Sequence, residues 1–342
     1  MKAVGLYQYL PVNSPNCFID LELAKPTPMG NQLLVKVKAI SVNPVDTKVR
    51  KPKAKTEDPA RIIGWDAAGE VVATGADARL FSTGDRVYYA GSITQSGSNA
   101  EYQLVDERIV GRKPSNLSFE QAAALPLTTI TAWEALFERM HVPEIPTVQS
   151  QNASLLIIAG AGGVGSIATQ IAKKIAHLGT VVCTASRPES SAWCTEMGAD
   201  FSINHKEPLL PQLQAKGLNG VDYILCCAPT EQYFEQMVDV INPQGTICSI
   251  VESNQGLDMN RLQGKSATFA WEFMFTRAMY STDDIEQQHA LLNKVSTAIE
   301  AGTLISTMSQ CLGPLNARNL TEAHRLIEEG QTIGKIVLSE CV

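Results

Sequence analysis

Basic residues are in short supply: the 342-residue chain carries 28 Lys and Arg against 35 Asp and Glu, a net charge of −7. A nucleic-acid binder needs a basic stripe to neutralise phosphates, so no nucleic-acid partner is expected. No run of about 18 apolar residues occurs, so neither a membrane-spanning helix nor a membrane partner is expected. The opening MKAVGLYQYLPVNSPN lacks an apolar stretch after its charge, which argues against a secretory leader and for a cytoplasmic protein. No C-x-x-C pair is present among the eight cysteines, and several sit inside apolar runs such as ICSIV and ILCCA. They read as buried free thiols of a reducing compartment.

Apolar residues make up 44% of the chain, enough for a packed core, and the length suits two domains or one large one. Up to about residue 125 the pattern is that of strands: LLVKVKAISV alternates, and GEVVATG and GDRVYYAG are short runs bounded by glycine. A mostly antiparallel β region follows from this. Ser118 is placed to cap a first helix that Pro126 breaks, with a second helix through Trp133 to Arg139. From Ala153 onward apolar strands and helical runs alternate: SLLIIA, VGSIATQIAKKIAHLG, TVVCTAS, ESSAWCTEMGA, FSIN, PLLPQLQAKG, VDYILCCA, EQYFEQMVDVI and GTICSIV. Such alternation predicts a parallel sheet covered on both faces. SATFAWEFMF reads as a strand or an apolar loop. IEQQHALLNKVSTAIEAG and LTEAHRLIEEG read as helices and GKIVLS as a last strand.

After SLLIIA comes Gly160, Ala161, Gly162, Gly163, Val164, Gly165, a G-x-G-x-x-G between a buried strand and a helix. In that context it is a dinucleotide fingerprint: glycines allow the tight turn and the approach of a pyrophosphate to backbone N–H groups at a helix N-terminus. An NAD site would place an acid about 20 residues further on, at the end of the second strand. That strand ends Cys183-Thr184-Ala185-Ser186-Arg187, a hydroxyl and a cation suited to a 2′-phosphate, which points to NADPH. The alternative is that Arg187 is a solvated surface cation and Glu189 holds the ribose. Two phosphate-loop look-alikes fail on spacing, since Met259 and Glu329 stand where Gly264-Lys265 and Gly334-Lys335 would need a first glycine.

With GWDAAGEVVATG, GDRVYYAG, AAALPLTTITAWEAL, AGAGGVGSIATQIAKK and the terminal GKIVL in this order, the chain resembles the medium-chain dehydrogenase/reductase superfamily over nearly its whole length. Within it, the chain is similar to zinc-type alcohol dehydrogenase-like proteins close to the quinone oxidoreductases. The resemblance implies an α/β protein: a GroES-like β-rich catalytic domain from residues 1–126 with 275–342, and a Rossmann doubly wound parallel-sheet domain over 127–274. It implies a site in the cleft between them, a small-molecule substrate and a homodimer or homotetramer.

The departures carry as much meaning. Zinc-dependent members hold their metal through a Cys before a conserved Asp and a His in Gly-His-Glu. Here the segments read Ser41-Val42-Asn43-Pro44-Val45-Asp46 and Gly64-Trp65-Asp66, and residues 85–112 contain no Cys. A catalytic zinc needs three protein ligands, so no metal is expected. Asn43 and Asp46 match the Asn-x-x-Asp segment of quinone oxidoreductase-like members, with Lys48 where many relatives carry a tyrosine. These three are the candidate catalytic residues, although Asp46 is equally readable as a structural hydrogen-bonding group. By the same resemblance Thr128, His205, Ala228 and Ile250 join Gly160, Gly162, Gly163, Val164, Gly165, Ser186 and Arg187 as candidate cofactor contacts, each open to the reading of ordinary packing. Trp65, Tyr88, Trp271, Phe273 and Phe275 are candidates for a substrate wall or for core, and Arg277 for reaching the cofactor phosphates. The expected activity is NADPH-dependent, metal-free hydride transfer to a quinone, enone or similar conjugated acceptor. The alternatives are an alcohol dehydrogenase or carbonyl reductase and a non-catalytic NADPH-binding protein.

Overall fold

Leu33, Val35 and Val37 alternate along QLLVKVKAISV, and all three are 2% exposed or less, one face of a strand turned into a core. The computed structural model describes residues 1–341. It begins with β1 (Lys2–Tyr9), β2 (Ile19–Glu22) and β3 (Gln32–Val42), turns through the short helix α1 (Pro44–Arg50), and continues as β4 (Lys53–Arg61), β5 (Asp66–Thr74), β6 (Arg86–Tyr89), β7 (Tyr102–Asp106) and β8 (Val110–Arg112). The pairings among these strands are antiparallel. Ser118 caps α2 (Phe119–Ala123), its hydroxyl accepting from the Gln121 N–H at 3.2 Å. Pro126 opens α3 (Pro126–Trp133), which widens into a π-helical turn over Glu134–Arg139.

After α4 (Val148–Asn152) the alternation expected from the sequence is present as β9 (Ser154–Ile158), α5 (Gly163–Lys174), β10 (Thr180–Thr184), α6 (Pro188–Glu196), β11 (Phe201–Ile203), α7 (Leu209–Gln214), β12 (Val221–Cys226), α8 (Thr230–Val240), β13 (Ile241–Ser249), α9 (Asn260–Gln263) and β14 (Thr268–Trp271). The strands run parallel in the order β11-β10-β9-β12-β13-β14. Every residue of β9 is buried, as a central strand covered on both faces requires. The order reverses between β9 and β12, so their carboxyl ends flank a crevice of the kind in which doubly wound sheets bind ligands. SATFAWEFMF resolves as the edge strand β14.

The chain closes with α10 (Thr276–Tyr280), α11 (Gln287–Glu300), β15 (Met308–Leu315), α12 (Ala317–Glu328) and β16 (Lys335–Cys341). β16 pairs antiparallel with β3, Ile336 opposite Val42 and Val337 opposite Ser41, in a sheet ordered β15-β16-β3-β5-β6-β8. The chain forms two compact units, residues 1–130 with 275–342 and residues 131–274. β4 and β15 have no counterpart in the sequence reading: KAKTEDPAR is charged and largely exposed, and MSQCLGPL has no alternating burial. No helix among the described residues is long and apolar enough to cross a membrane. All eight cysteines are free and five are buried, but Cys311 is exposed, where burial was expected.

Candidate functional site

The glycine turn follows β9. Ala159 is held at φ +63°, its N–H donating to Thr184 Oγ1 at 2.9 Å, while the Gly160 N–H donates to the Thr184 carbonyl at 3.2 Å. The glycines do separate work. A Cβ on Gly160 would lie 2.4 Å from the Cβ of Cys183, and one on Gly165 would lie 2.6 Å from the Gly160 carbonyl oxygen. Both glycines permit close packing of turn, strand and helix. A Cβ on Gly162 would meet only the Ala159 oxygen, at 3.5 Å. That glycine leaves room for something other than protein, beside the N-terminal turn of the 12-residue α5 formed by Gly163, Val164 and Gly165. Open space at the middle glycine next to N–H groups outside the helical bonding pattern fits a pyrophosphate.

Ser186 and Arg187 follow β10 and are half-buried; Arg187 is extended and its carbonyl accepts from the Ser190 hydroxyl at 2.9 Å. Glu189 is exposed in the first turn of α6. His205, after β11, is half-buried with Nδ1 buried and unpartnered, and burial lowers its pKa, helped by Lys206. Ala228 and Ile250 follow β12 and β13 and are half-buried. Thr128 lies in the first unit, its hydroxyl donating to the Leu125 carbonyl at 3.1 Å.

A second constellation lies within the first unit. Asp66, at the start of β5, is fully buried. Its Oδ1 accepts the Leu127 N–H from the start of α3 at 2.7 Å. Its Oδ2 accepts from Asn43 Nδ2 at 2.8 Å and from Lys335 Nζ at 3.1 Å. The Lys335 ammonium also donates to the Val42 carbonyl at 3.1 Å and to Asn43 Oδ1. Asn43 caps α1, and its N–H donates to Asp46 Oδ2 at 2.9 Å, whereas Asp46 Oδ1 is buried with no partner. Burial pushes the Asp46 carboxyl up to about 7; the Asp66 charge adds to this, and the Asn43 N–H and Lys335 oppose it. Burial also raises Asp66, against Lys335, Asn43 and the Leu127 N–H.

Asn43 and Asp46 are thus brought together, and Lys48 is not: two positions further along α1 it faces solvent while Asp46 faces the core. The donors of the Asn43 amide are already engaged, at 2.8 Å with Asp66 and 3.5 Å with the Ser41 carbonyl. Lys335 was missed as a site residue, because what brings it to Asn43 is the pairing of β16 with β3, 292 residues apart. Trp65, Tyr88 and Phe275 are core: Trp65 Nε1 donates to the Ser92 carbonyl at 3.0 Å and Tyr88 to the Leu292 carbonyl at 2.6 Å. Trp271 and Phe273 are exposed. Arg277 is held by Asp284, at 2.7 Å and 3.0 Å.

A zinc ion does not fit these residues. Trp65 has no lone pair to offer, and the oxygens of Asn43 and Asp66 already converge on an ammonium. Among the described residues no group of three His, Cys, Asp or Glu is arranged to hold a metal.

Residues 29–115 match the family model of the alcohol dehydrogenase GroES-like domain, and residues 197–338 that of a zinc-binding dehydrogenase. A zinc-type alcohol dehydrogenase-like protein of Staphylococcus aureus is 46% identical over 99% of this chain and 100% of its own length. The chloroplastic NADPH-dependent alkenal/one oxidoreductase of Arabidopsis thaliana is 30% identical over 94% of this chain and 75% of that protein. A solved structure from Rhizobium etli, of a protein provisionally named a zinc-dependent alcohol dehydrogenase, has a TM-score of 0.94 at 46% identity, covering 99% of this chain and 98% of that one. A glycine turn fitted to a dinucleotide and this degree of identity along the whole sequence agree, and the chain belongs to the zinc-type alcohol dehydrogenase-like proteins of the medium-chain dehydrogenase/reductase superfamily, oxidoreductases that work with a nicotinamide cofactor.

Proposed function

We propose that the protein is an NADPH-dependent, metal-free reductase of conjugated acceptors, a quinone or an α,β-unsaturated carbonyl. The observation that carries this reading is the buried set of Asn43, Asp46, Asp66 and Lys335, which leaves a polarising metal without ligands but supplies one carboxyl group with an uncommitted oxygen. A metal Lewis acid contributes several kcal/mol to carbonyl polarisation, and simple ketones and alcohols need it most. A conjugated acceptor spreads incoming charge onto its oxygen and requires chiefly a hydrogen-bond donor and a proton. Ser186 and Arg187, with no acid between Thr184 and Pro188, support NADPH over NADH. The Arabidopsis relative, named for NADPH and alkenals, supports the same choice.

Bound at the glycine turn, the reduced nicotinamide would supply the hydride. With an enone, that hydride would go to the β-carbon, the π electrons would pass to the oxygen, and a proton from the protein would complete the reduction. Asp46 is assigned that proton, since its Oδ1 carries no other bond. Asn43 holds Asp46 through its N–H, whereas Lys48, on the opposite, solvent-facing side of α1, is assigned no step. Thr128, His205, Ala228 and Ile250 are assigned to seating the cofactor. A steady-state comparison of enones, quinones and primary alcohols in one buffer tests the reading. Conjugated acceptors with NADPH should turn over fastest; primary alcohols with NADP⁺ outperforming all of them would replace it with an alcohol dehydrogenase.

A further inference from the structure

Two acids and one base share a space closed to water: Asp46 is 1% exposed, Asp66 0% and Lys335 3%. Each N–H of the Lys335 ammonium has an acceptor: the Val42 carbonyl, Asn43 Oδ1 and Asp66 Oδ2. An amide whose oxygen faces an ammonium must turn its NH₂ the other way, and Asn43 Nδ2 is accordingly on Asp66. The lone pairs that a metal ion would draw together are drawn together by Nζ. A buried charge persists only when paired and hydrogen-bonded, and one ammonium balances one carboxylate. Asp66 is the better placed to be that carboxylate. It takes donors from Asn43, Lys335 and the first turn of α3, while Asp46 takes the Asn43 N–H alone.

We propose that Lys335 is the resident cation of this site and a positioning residue for the reaction: its ammonium takes the charge-balancing place a zinc ion would need, orients the Asn43 amide, keeps Asp66 ionised, and leaves Asp46 to carry the transferable proton. The role in turnover rests on the proposed reductase activity; the electrostatic role does not. The charged groups that face Asp46 are Lys335 from β16 and Asp66 from β5. α12, packed on α1, directs His324 and Glu328 to Arg50 instead, His324 Nδ1 lying 3.3 Å from Arg50 Nε. The carboxyl of Asp46 stands at about 7, and the ammonium is one of the influences holding it down. Removing that charge therefore moves Asp46 upward, offset only in part by protonation of Asp66, whose charge is the weaker of the two influences.

Infrared spectroscopy of the full-length protein reads the protonated carboxyl directly, with Asp46→Asn assigning the band. In Lys335→Met the titration midpoint of that band should rise by about one pH unit or more. Turnover of an enone should fall at least about tenfold while the NADPH dissociation constant stays within about twofold. Lys335→Arg should recover part of the turnover, because the charge is kept. If Lys335→Met does not fold, Lys335→Met/Asp66→Asn removes both charges together, and it should fold yet remain slow. An Asp46 midpoint that does not move in folded Lys335→Met, or in the double variant full turnover with NADPH, would overturn the inference. A wild type that reduces no conjugated acceptor, with the midpoint shift intact, would overturn the proposed function alone.

Discussion

Asp46 ties the chemistry of the site to the stability of the protein. Its carboxyl rises from 3.8 to about 7 on folding, so between these values the folded state binds the proton that the unfolded chain has released. Stability therefore falls as pH rises from about 4 to about 7, by on the order of 4 kcal/mol for this group alone. Denaturant unfolding across that range should show the decline, and Asp46→Asn should flatten it; a wild-type stability that climbs steeply over the same interval, unchanged by the substitution, would contradict the assignment. The glycines of the turn separate in the same manner. Gly160→Ala forces a Cβ against Cys183 and should cost about 1–3 kcal/mol, read as a lowered midpoint of unfolding. Gly162→Ala has room and should leave that midpoint unchanged while weakening cofactor binding. Arg187→Ala should remove most of the NADPH preference, about ten- to a hundredfold in the ratio of dissociation constants, and leave NADH binding as it was.

At the scale of elements, α2 offers a clean test of local coding. Ser118 and Gln121 cap each other's backbone N–H groups, and Ser118→Ala should cost about 1 kcal/mol in unfolding measurements. Such features were legible in the sequence because they depend on neighbours: the Ser118 cap, the continuous apolar strand β9, and the glycines before α5. The edge strand β4 was not legible. Its KAKTEDPAR carries no apolar face, and what makes it a strand is backbone pairing with β1, interrupted by two register irregularities. β15 is hidden for a like reason, its parallel pairing with β16 broken by three irregularities, one between Met308 and Gln310 and two around Pro314. The site divides along the same line. Asn43 and Asp46 sit on one turn and could be read together, whereas Lys335 reaches them only through the register of β16 on β3. The glycine-lysine pair at 334–335 looked like a failed phosphate loop; its lysine is spent on Asp66, and Gly334, at φ +58°, leads into the strand that delivers it.

For the whole molecule, the chain keeps the architecture of a family in which one of its two matched domains is named for zinc, and the proposed function has the metal's place filled by its own side chains. The central claim is that hydride transfer here needs NADPH, a conjugated acceptor and the buried Asn43–Asp46–Asp66–Lys335 set, and no metal ion. The most direct measurement is the rate of NADPH oxidation with an enone before and after exhaustive treatment with a chelator, with the metal content of both samples determined. The account predicts equal rates, far less than one zinc per chain in each sample, and negligible oxidation of a primary alcohol with NADP⁺. A stoichiometric zinc whose removal abolishes turnover would contradict it.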